Sequence, residues 1–389
     1  MKTNLVLMQP IYRTDPNYVL MKHLKKIALS VIAASVLSAS CTAQKVVTAD
    51  KKASAKTQAL YANLQKLTDT YTLFGHQDDL AYGVGWKFEN GRSDVKSVTG
   101  SYPAVYGWDI GHIELDSLKE LDGVPFEMSR RFMVQVYERG GINTISWHST
   151  NPVNGKSAWD TTEHSVKQLI PGGAKHTAFK NSLDKVAKFL VSLKTADGTM
   201  VPVIFRPFHE HTGSWFWWCK NTCTPEEFKS LWRFTVDYLT KTKKLNNLLF
   251  SYSSADFNSK EDFLEYYPGD EYIDVVGFDI YCFDNQEFFK AKLDKQLAIL
   301  QEVAKEHHKI PALTETGYER VPMANWWTET LLPVLSKYNM AYALMWRNDR
   351  KEHFYAPYPG QVSADDFIRF YNHPKIMFQD KLTPLKIYK

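Results

Sequence analysis

The sequence predicts a closed (β/α)8 barrel, a single α/β domain, and three observations carry that expectation. Short runs of β-branched and aromatic residues alternate eight times with stretches of helical period. Residues 54–389 hold no low-complexity linker, repeat or shift of composition, a length ordinary for a barrel and long for most other single domains. Each apolar run also ends in a cluster of polar and aromatic residues, and in a barrel the C-terminal strand ends meet at one mouth. An open doubly wound sheet would ordinarily carry a Gly-rich first turn, and no G-x-G-x-x-G occurs.

The elements follow in order. Residues 1–43 read as an N-terminal extension and an export signal: a basic stretch at 22–26 after Met21, an apolar run at 27–39, then small residues to Ala43. That run is short of the roughly 20 residues a membrane span needs. Residues 1–18 then precede the expected true start. Cys41, with Ser40 before it, is a candidate for lipid anchoring, although Ser38 stands where an aliphatic residue is expected. Cleavage after Ala43 to a soluble periplasmic form fits about as well, so an exported protein is expected, either free or lipid-anchored at the cell surface.

The domain is read from 54 to 389. Its strands are expected at 72–76, 104–109, 143–148, 201–205, 248–253, 274–280, 312–315 and 342–346. The clearest helix between them places Phe179, Leu183, Val186, Leu190 and Leu193 on one face and ends at Asp197-Gly198. Another begins at Pro225-Glu226 with an acidic first turn, as a helix N-terminus prefers. The strand ends read His76-Gln77-Asp78-Asp79, Gly107-Trp108-Asp109, Trp147-His148, Arg206-Pro207-Phe208-His209-Glu210, Tyr252-Ser253, Asp279-Ile280-Tyr281, Thr314-Glu315 and Trp346-Arg347-Asn348.

Composition narrows the function. The formal charge of +4 includes the basic leader, so nothing points to nucleic acid or another polyanion. Cys219, Cys223 and Cys282 make no disulfide framework, while a short Cys219–Cys223 bridge is compatible with an oxidising compartment. Aromatic residues make up 14% of the chain, with 11 Trp, so some are expected on a binding surface.

Two strand-end glutamates, Glu210 and Glu315, can converge over the barrel axis. A retaining glycosidase needs two carboxyl groups about 5–5.5 Å apart in different protonation states. Arg206 and Tyr281 are available to keep one of them ionised. The bland alternative makes either glutamate a structural ion-pair partner. Trp215, Phe216, Trp217 and Trp218 follow Glu210, with Trp147, Trp159, Tyr281 and Trp346 expected on the same rim, where aromatic planes could stack on sugar rings; Trp217 and Trp218 could equally be core. His76, His148, His209 and His211 invite a metal reading. H-E-x-x-H is absent, however, and side-chain alternation along a strand end is taken to separate His209 from His211, so no metal is expected. A serine hydrolase is unsupported without a G-x-S-x-G elbow.

These motifs, in this order, resemble glycoside hydrolase family 26: Phe74-Gly75-His76-Gln77, Gly107-Trp108-Asp109, Trp147-His148, Arg206-Pro207-Phe208-His209-Glu210 with Gly213 and Trp215 to Trp218, Gly277-Phe278-Asp279-Ile280-Tyr281, Thr314-Glu315-Thr316-Gly317 and Trp346-Arg347-Asn348. The resemblance covers nearly all of the chain after the leader. It implies a barrel with Glu210 as acid/base and Glu315 as nucleophile, and Tyr281 bonded to the nucleophile. It also implies subsites lined by His148, His209, Trp215, Tyr281 and Trp346, with Trp159 carried over from a loop of variable length; Arg206 and Arg347 complete the expected set. The implied substrate is β-1,4-mannan, acted on without a cofactor by what is expected to be a monomer. Alternatives are release of mannobiose from chain ends, the same chemistry on another β-glycan, and a non-catalytic glycan-binding protein. The loops at 110–126 and 151–175 are expected to decide between internal and chain-end cutting.

Overall fold

The computed structural model describes Met1 and residues 47–389; the signal segment and Cys41 lie outside the described residues. Eight parallel strands form the ring: β1 (Thr72–Gln77), β2 (Val105–Asp109), β3 (Ile142–Trp147), β4 (Val203–Pro207), β5 (Leu248–Ser254), β6 (Val275–Cys282), β7 (Ile310–Tyr318) and β8 (Tyr342–Met345). Each pairs with the next, and β8 pairs back onto β1 through Leu73↔Tyr342 to His76↔Met345, which closes the barrel. The short strand Ile376–Met377 adds to the outside of β1 at its start.

Closure leaves two apolar layers, because side chains alternate across each strand. Leu73, Val105, Ile142, Ile204, Leu249, Val275, Ala312, Tyr342 and Leu344 fill the interior in one cluster. That cluster also holds Leu60, Tyr61 and Leu64 of helix α1 (Ala55–Thr68), together with Ile387 and Tyr388. Helix α1 therefore packs across the N-terminal end of the ring, and Ser54 starts it by accepting the Thr57 N–H. The outer cluster lies between the strands and the surrounding helices.

Longer helices surround the ring. Helix α2 (Phe126–Glu138) follows β2, and α3 (His176–Ser192) buries Phe179, Leu183, Val186 and Leu190 as its periodicity predicts, but it ends at Ser192 with Leu193 as its C-cap, short of the expected Asp197-Gly198. Helix α4 (Pro225–Asp237) opens with a capping box in which Thr224 and Glu227 bond each other's backbone N–H. Helix α5 (Gln286–His307) follows β6, capped by Asn285.

Two departures from the sequence reading matter for the site. Strand β7 runs on to Tyr318, beyond the expected 315, and carries a bulge: Phe278 pairs with Leu313, but Asp279 pairs with Glu315. The extra residue, Thr314, lets both Thr314 and Glu315 turn inward, which strict alternation forbids. Strand β4 stops at Pro207, and Phe208 (φ +51°) and Glu210 (φ +56°) adopt left-handed backbone that costs a non-glycine residue about 1–3 kcal/mol. The turn is held by Glu210 N–H donating to Ser253 O at 2.9 Å, Gly213 N–H to Glu210 O at 2.8 Å and the Trp218 indole to His209 O at 2.7 Å.

Candidate active site

The barrel mouth brings three carboxylates together. One oxygen each of Glu210 (after β4), Asp279 (β6) and Glu315 (β7) lies within 4.8 Å of the others. Arg206, on β4, lies among them. One of its terminal nitrogens donates to Asp279 at 2.8 Å and contacts Ser253 Oγ at 3.3 Å, and the other donates to Glu315. Asp279 also accepts from Ser253 Oγ at 2.9 Å and Thr314 Oγ1 at 2.6 Å. Three acids this close resemble a cation site, but the guanidinium already supplies positive charge to two of them. The donor set fits proton and covalent chemistry better than metal ligation.

The two glutamates are treated differently by their neighbours. Tyr281 Oη donates to Glu315 Oε2 at 2.8 Å, so Glu315 receives a phenol and a guanidinium. Among the described residues, Glu210 receives only the Trp215 indole N–H, at 2.7 Å. Burial raises both carboxyl pKa values. For Glu210 the nearby Asp279 and Glu315 charges add to burial and drive it well above the ordinary range. For Glu315, burial is opposed by Arg206, and the group is pushed up to about 7, with Asp279 raising it and His148 and Tyr281 lowering it. Of the pair, Glu210 keeps its proton and Glu315 gives its up first.

A histidine pair borders the carboxylates. His148 Nδ1 bonds Asp109 at 2.8 Å, and its Nε2 lies 3.2 Å from His209 Nε2. Burial lowers the His148 pKa, but the Asp109 carboxylate outweighs it and the net shift is upward; burial, then Arg206 and His148, push His209 well below 6.5. His148 thus holds a proton more readily than His209. Asp109 is in turn fixed by Ser146 Oγ at 2.8 Å and Gly111 N–H at 2.6 Å. His211 points elsewhere, 2.8 Å from Tyr252 Oη. His209 and His211 do part company, but not by strand alternation, since residues two apart on a strand share a face. The left-handed turns at Phe208 and Glu210 separate them.

The expected aromatic rim is only partly on the surface. Trp159, half-exposed on the 151–175 loop, stacks on His148 with ring centres 5.3 Å apart and planes 11° apart. Trp215 is similarly exposed beside Glu210, and Trp346 stands 6.5 Å from the His148 ring. Trp147, Trp217 and Trp218 are instead buried in the core, with their indoles bonded to Glu114, Ser149 O and His209 O. Cys219 and Cys223 are free, each thiol donating to backbone carbonyls.

Arg347, after β8, bonds Asp122 of the 110–126 loop at 3.1 Å and contacts the Tyr82 hydroxyl at 3.5 Å. The sequence reading missed what surrounds it. Asp78 accepts from Tyr82 Oη at 2.8 Å, and Glu120 accepts the backbone N–H of Asp122 at 2.7 Å and Val124 at 2.5 Å. Burial and then the Asp122 charge push Asp78 up to about 8, and burial and then the Asp78 and Asp122 charges push Glu120 up to about 9. It also left the supporting acids Asp109 and Asp279 out of the site, although both stand in the strand-end clusters at inward-facing positions.

A closed barrel whose mouth brings together two carboxyls of unequal proton affinity, flanked by exposed indoles, is an arrangement suited to acting on glycosidic bonds. The family model described as Glycosyl hydrolase family 26 matches residues 49–345, and the chain belongs to that family. It is 48% identical to a family 26 β-mannanase structure from Bacteroides ovatus, with a TM-score of 0.84 and coverage of 86% of this chain and 98% of that one. A family 26 structure from Muricauda is 32% identical, with a TM-score of 0.81, over 88% of this chain and 96% of that one. A mannan endo-1,4-β-mannosidase of Bifidobacterium adolescentis is 36% identical over 278 residues, 69% of this chain. One from Bacillus subtilis is 31% identical over 222 residues, 54% of this chain. The matches span only 27% and 58% of those two relatives' lengths.

Proposed function

We propose that the protein hydrolyses β-1,4-mannosidic bonds in mannan, galactomannan or glucomannan with retention of configuration. The observation that carries this reading is the close, unequally protonated pair of Glu210 and Glu315. Inverting enzymes separate their carboxyl groups by about 6.5–9.5 Å to admit a water, whereas retaining ones bring them to about 5–5.5 Å; oxygens within 4.8 Å suit the second geometry. The mannan assignment is supported by the relatives named as mannan endo-1,4-β-mannosidases and the β-mannanase structure.

In this mechanism Glu315 attacks the anomeric carbon while Glu210 passes its proton to the leaving oxygen. A glycosyl–Glu315 ester forms and the leaving chain departs. Glu210, now ionised, takes a proton from water, which attacks the ester and releases the sugar with its original anomeric configuration. Arg206 and Tyr281 hold Glu315 for attack. The proposed substrate contacts are His148, Trp159, Arg206, His209, Trp215, Tyr281, Trp346 and Arg347. NMR of the first product from mannohexaose tests the reading: the β-anomer is expected first, and initial α-anomer would overturn retention.

A second reading concerns where the chain is cut. The 110–126 loop is tied to the strand-end ring by Asp122–Arg347 and braced internally by Glu120 and a Lys119–Pro125 bridge. A loop fixed at that position favours a walled end and release of mannobiose from chain ends. Early mannobiose with little loss of mannan viscosity is the expected time course; a ladder of mixed oligosaccharides with a rapid fall in viscosity would favour internal cutting. Export is proposed from the charged, apolar and small-residue order of residues 22–43. The mass of the mature N-terminus in the periplasmic and membrane fractions distinguishes lipidation at Cys41 from cleavage after Ala43.

A further inference from the structure

Strand β6 sends every second side chain toward the barrel axis, and each of the last two inward residues has a task. Asp279 pairs with Arg206, and Tyr281 donates to Glu315. The outward series, Phe278, Ile280 and Cys282, is buried against the helices. Phe283, one residue past the end of the strand, is the position that a continuation of this alternation would turn toward the mouth. The residue is 77% exposed, more than Trp159 or Trp215. Its backbone is bracketed by the paired strand behind it and by the Asn285 cap of α5 in front, where the Asn285 side chain accepts the Phe288 N–H at 2.9 Å. Lys292 of α5 also pairs with Asp256 of the loop after β5, tying the two segments of the rim together.

Which part of a bound chain this ring faces follows from the proposed chemistry. Glu210, on the β4 side, gives its proton to the leaving oxygen. The opposite side of the mouth, over β8, β1 and β2, is occupied by Arg347, Tyr82, Asp78 and Asp122. In a ring of eight strands β6 stands across from β2, so Phe283 faces the leaving half of the cleft. An exposed phenyl ring at a cleft rim gains by covering its face with apolar C–H groups, which one face of a pyranose presents.

We propose that Phe283 is a stacking platform for a mannosyl ring of the leaving segment, beyond the residue next to the cleaved bond. The inference rests on the hydrolytic reading above and adds a subsite to it. Because Phe283 touches neither carboxyl, its loss acts on substrates long enough to reach it. The test compares kcat/KM for mannotetraose and mannopentaose with kcat/KM for an aryl β-mannobioside, whose leaving group is a phenol. In Phe283→Ala the ratio of oligosaccharide to aryl substrate is expected to fall about tenfold, and in Phe283→Trp to be kept. Phe288→Ala, an exposed ring on α5 outside the inward series, serves as the control and is expected to leave the ratio unchanged. An unchanged ratio in Phe283→Ala, or an equal fall in Phe288→Ala, would overturn the subsite. If the unmodified protein releases no reducing ends from any manno-oligosaccharide, the hydrolytic reading itself fails, and that result is distinct from either.

Discussion

At the scale of single residues, the difference between Glu210 and Glu315 is a difference in hydrogen-bond partners. Glu315 receives Arg206 and Tyr281, and among the described residues Glu210 receives only Trp215. Glu315→Ala removes the proposed attacking group and is expected to lower turnover on the order of 10⁴-fold or more, with azide restoring part of it as the inverted glycosyl azide. Residual activity of a few per cent would show that another group is the nucleophile. The pH profile follows from the same contacts. With Glu315 near 7 and Glu210 well above its usual range, kcat/KM is expected to rise as pH passes through about 7, where Glu315 ionises, and to fall where Glu210 loses its proton. Tyr281 donates to Glu315 and so favours the charged form. Tyr281→Phe should therefore move the acid limb to higher pH; a limb that stays put or moves down would separate Tyr281 from the nucleophile's titration.

The same scale shows what could be read from residue types alone. Both glutamates and Arg206 stand at strand ends, where a short polar cluster after an apolar run marks the mouth. Asp109 and Asp279 carry the same mark, but their task became visible only with their partners, His148 and Arg206, which come from different strands. Trp147, Trp217 and Trp218 looked like candidates for the rim because a Trp has the same composition signal in a core as on a surface. Burial decided between the two.

At the scale of elements, the 110–126 loop is held from outside by one ion pair, Asp122–Arg347, and from inside by Glu120. Asp122→Ala is expected to release the loop and shift early products from mannobiose toward longer oligosaccharides in a chromatographic time course; an unchanged pattern would mean that the pair does not set the length of the cut. Helix α4 shows the more ordinary economy of an element. Thr224→Ala removes half of its capping box and is expected to cost about 1 kcal/mol, seen as a lower denaturant midpoint. The apolar face of α3, the start of α4 and the location of all eight strands were legible because hydrophobic period and capping chemistry are local. The bulge at Thr314 was not. It depends on pairing between β6 and β7, and without it Ala312 facing inward would place Glu315 outward.

At the scale of the whole molecule, several acids hold their protons more tightly in the fold than in the open chain. Burial raises Asp274 to about 6, Glu315 to about 7, Asp78 to about 8 and Glu120 to about 9. An acid with a raised folded pKa binds its proton in the native state after the unfolded chain has released it. Its contribution is fully present below the unfolded value near 4 and is lost as pH rises through the folded one. Asp109, held below its usual range although burial opposes this, acts in the opposite sense at lower pH, as the nearby His148 charge and its hydrogen bonds favour the anion. The melting temperature is therefore expected to fall from pH 5 to pH 9, and a flat or rising trend would contradict the burial of these acids.

The barrel class, the order of its strands, the end where polar residues gather and the two glutamates proposed to act there were legible in the sequence itself, because each is written in local period or in residue type at a strand end. The tertiary structure alone decided how far apart the carboxyl groups lie, which of them keeps its proton, which indoles face water, and how a buried group of acids fixes a loop at the mouth. Those properties arise between residues distant in the chain, from desolvation and charge shared across strands that only closure of the barrel brings together.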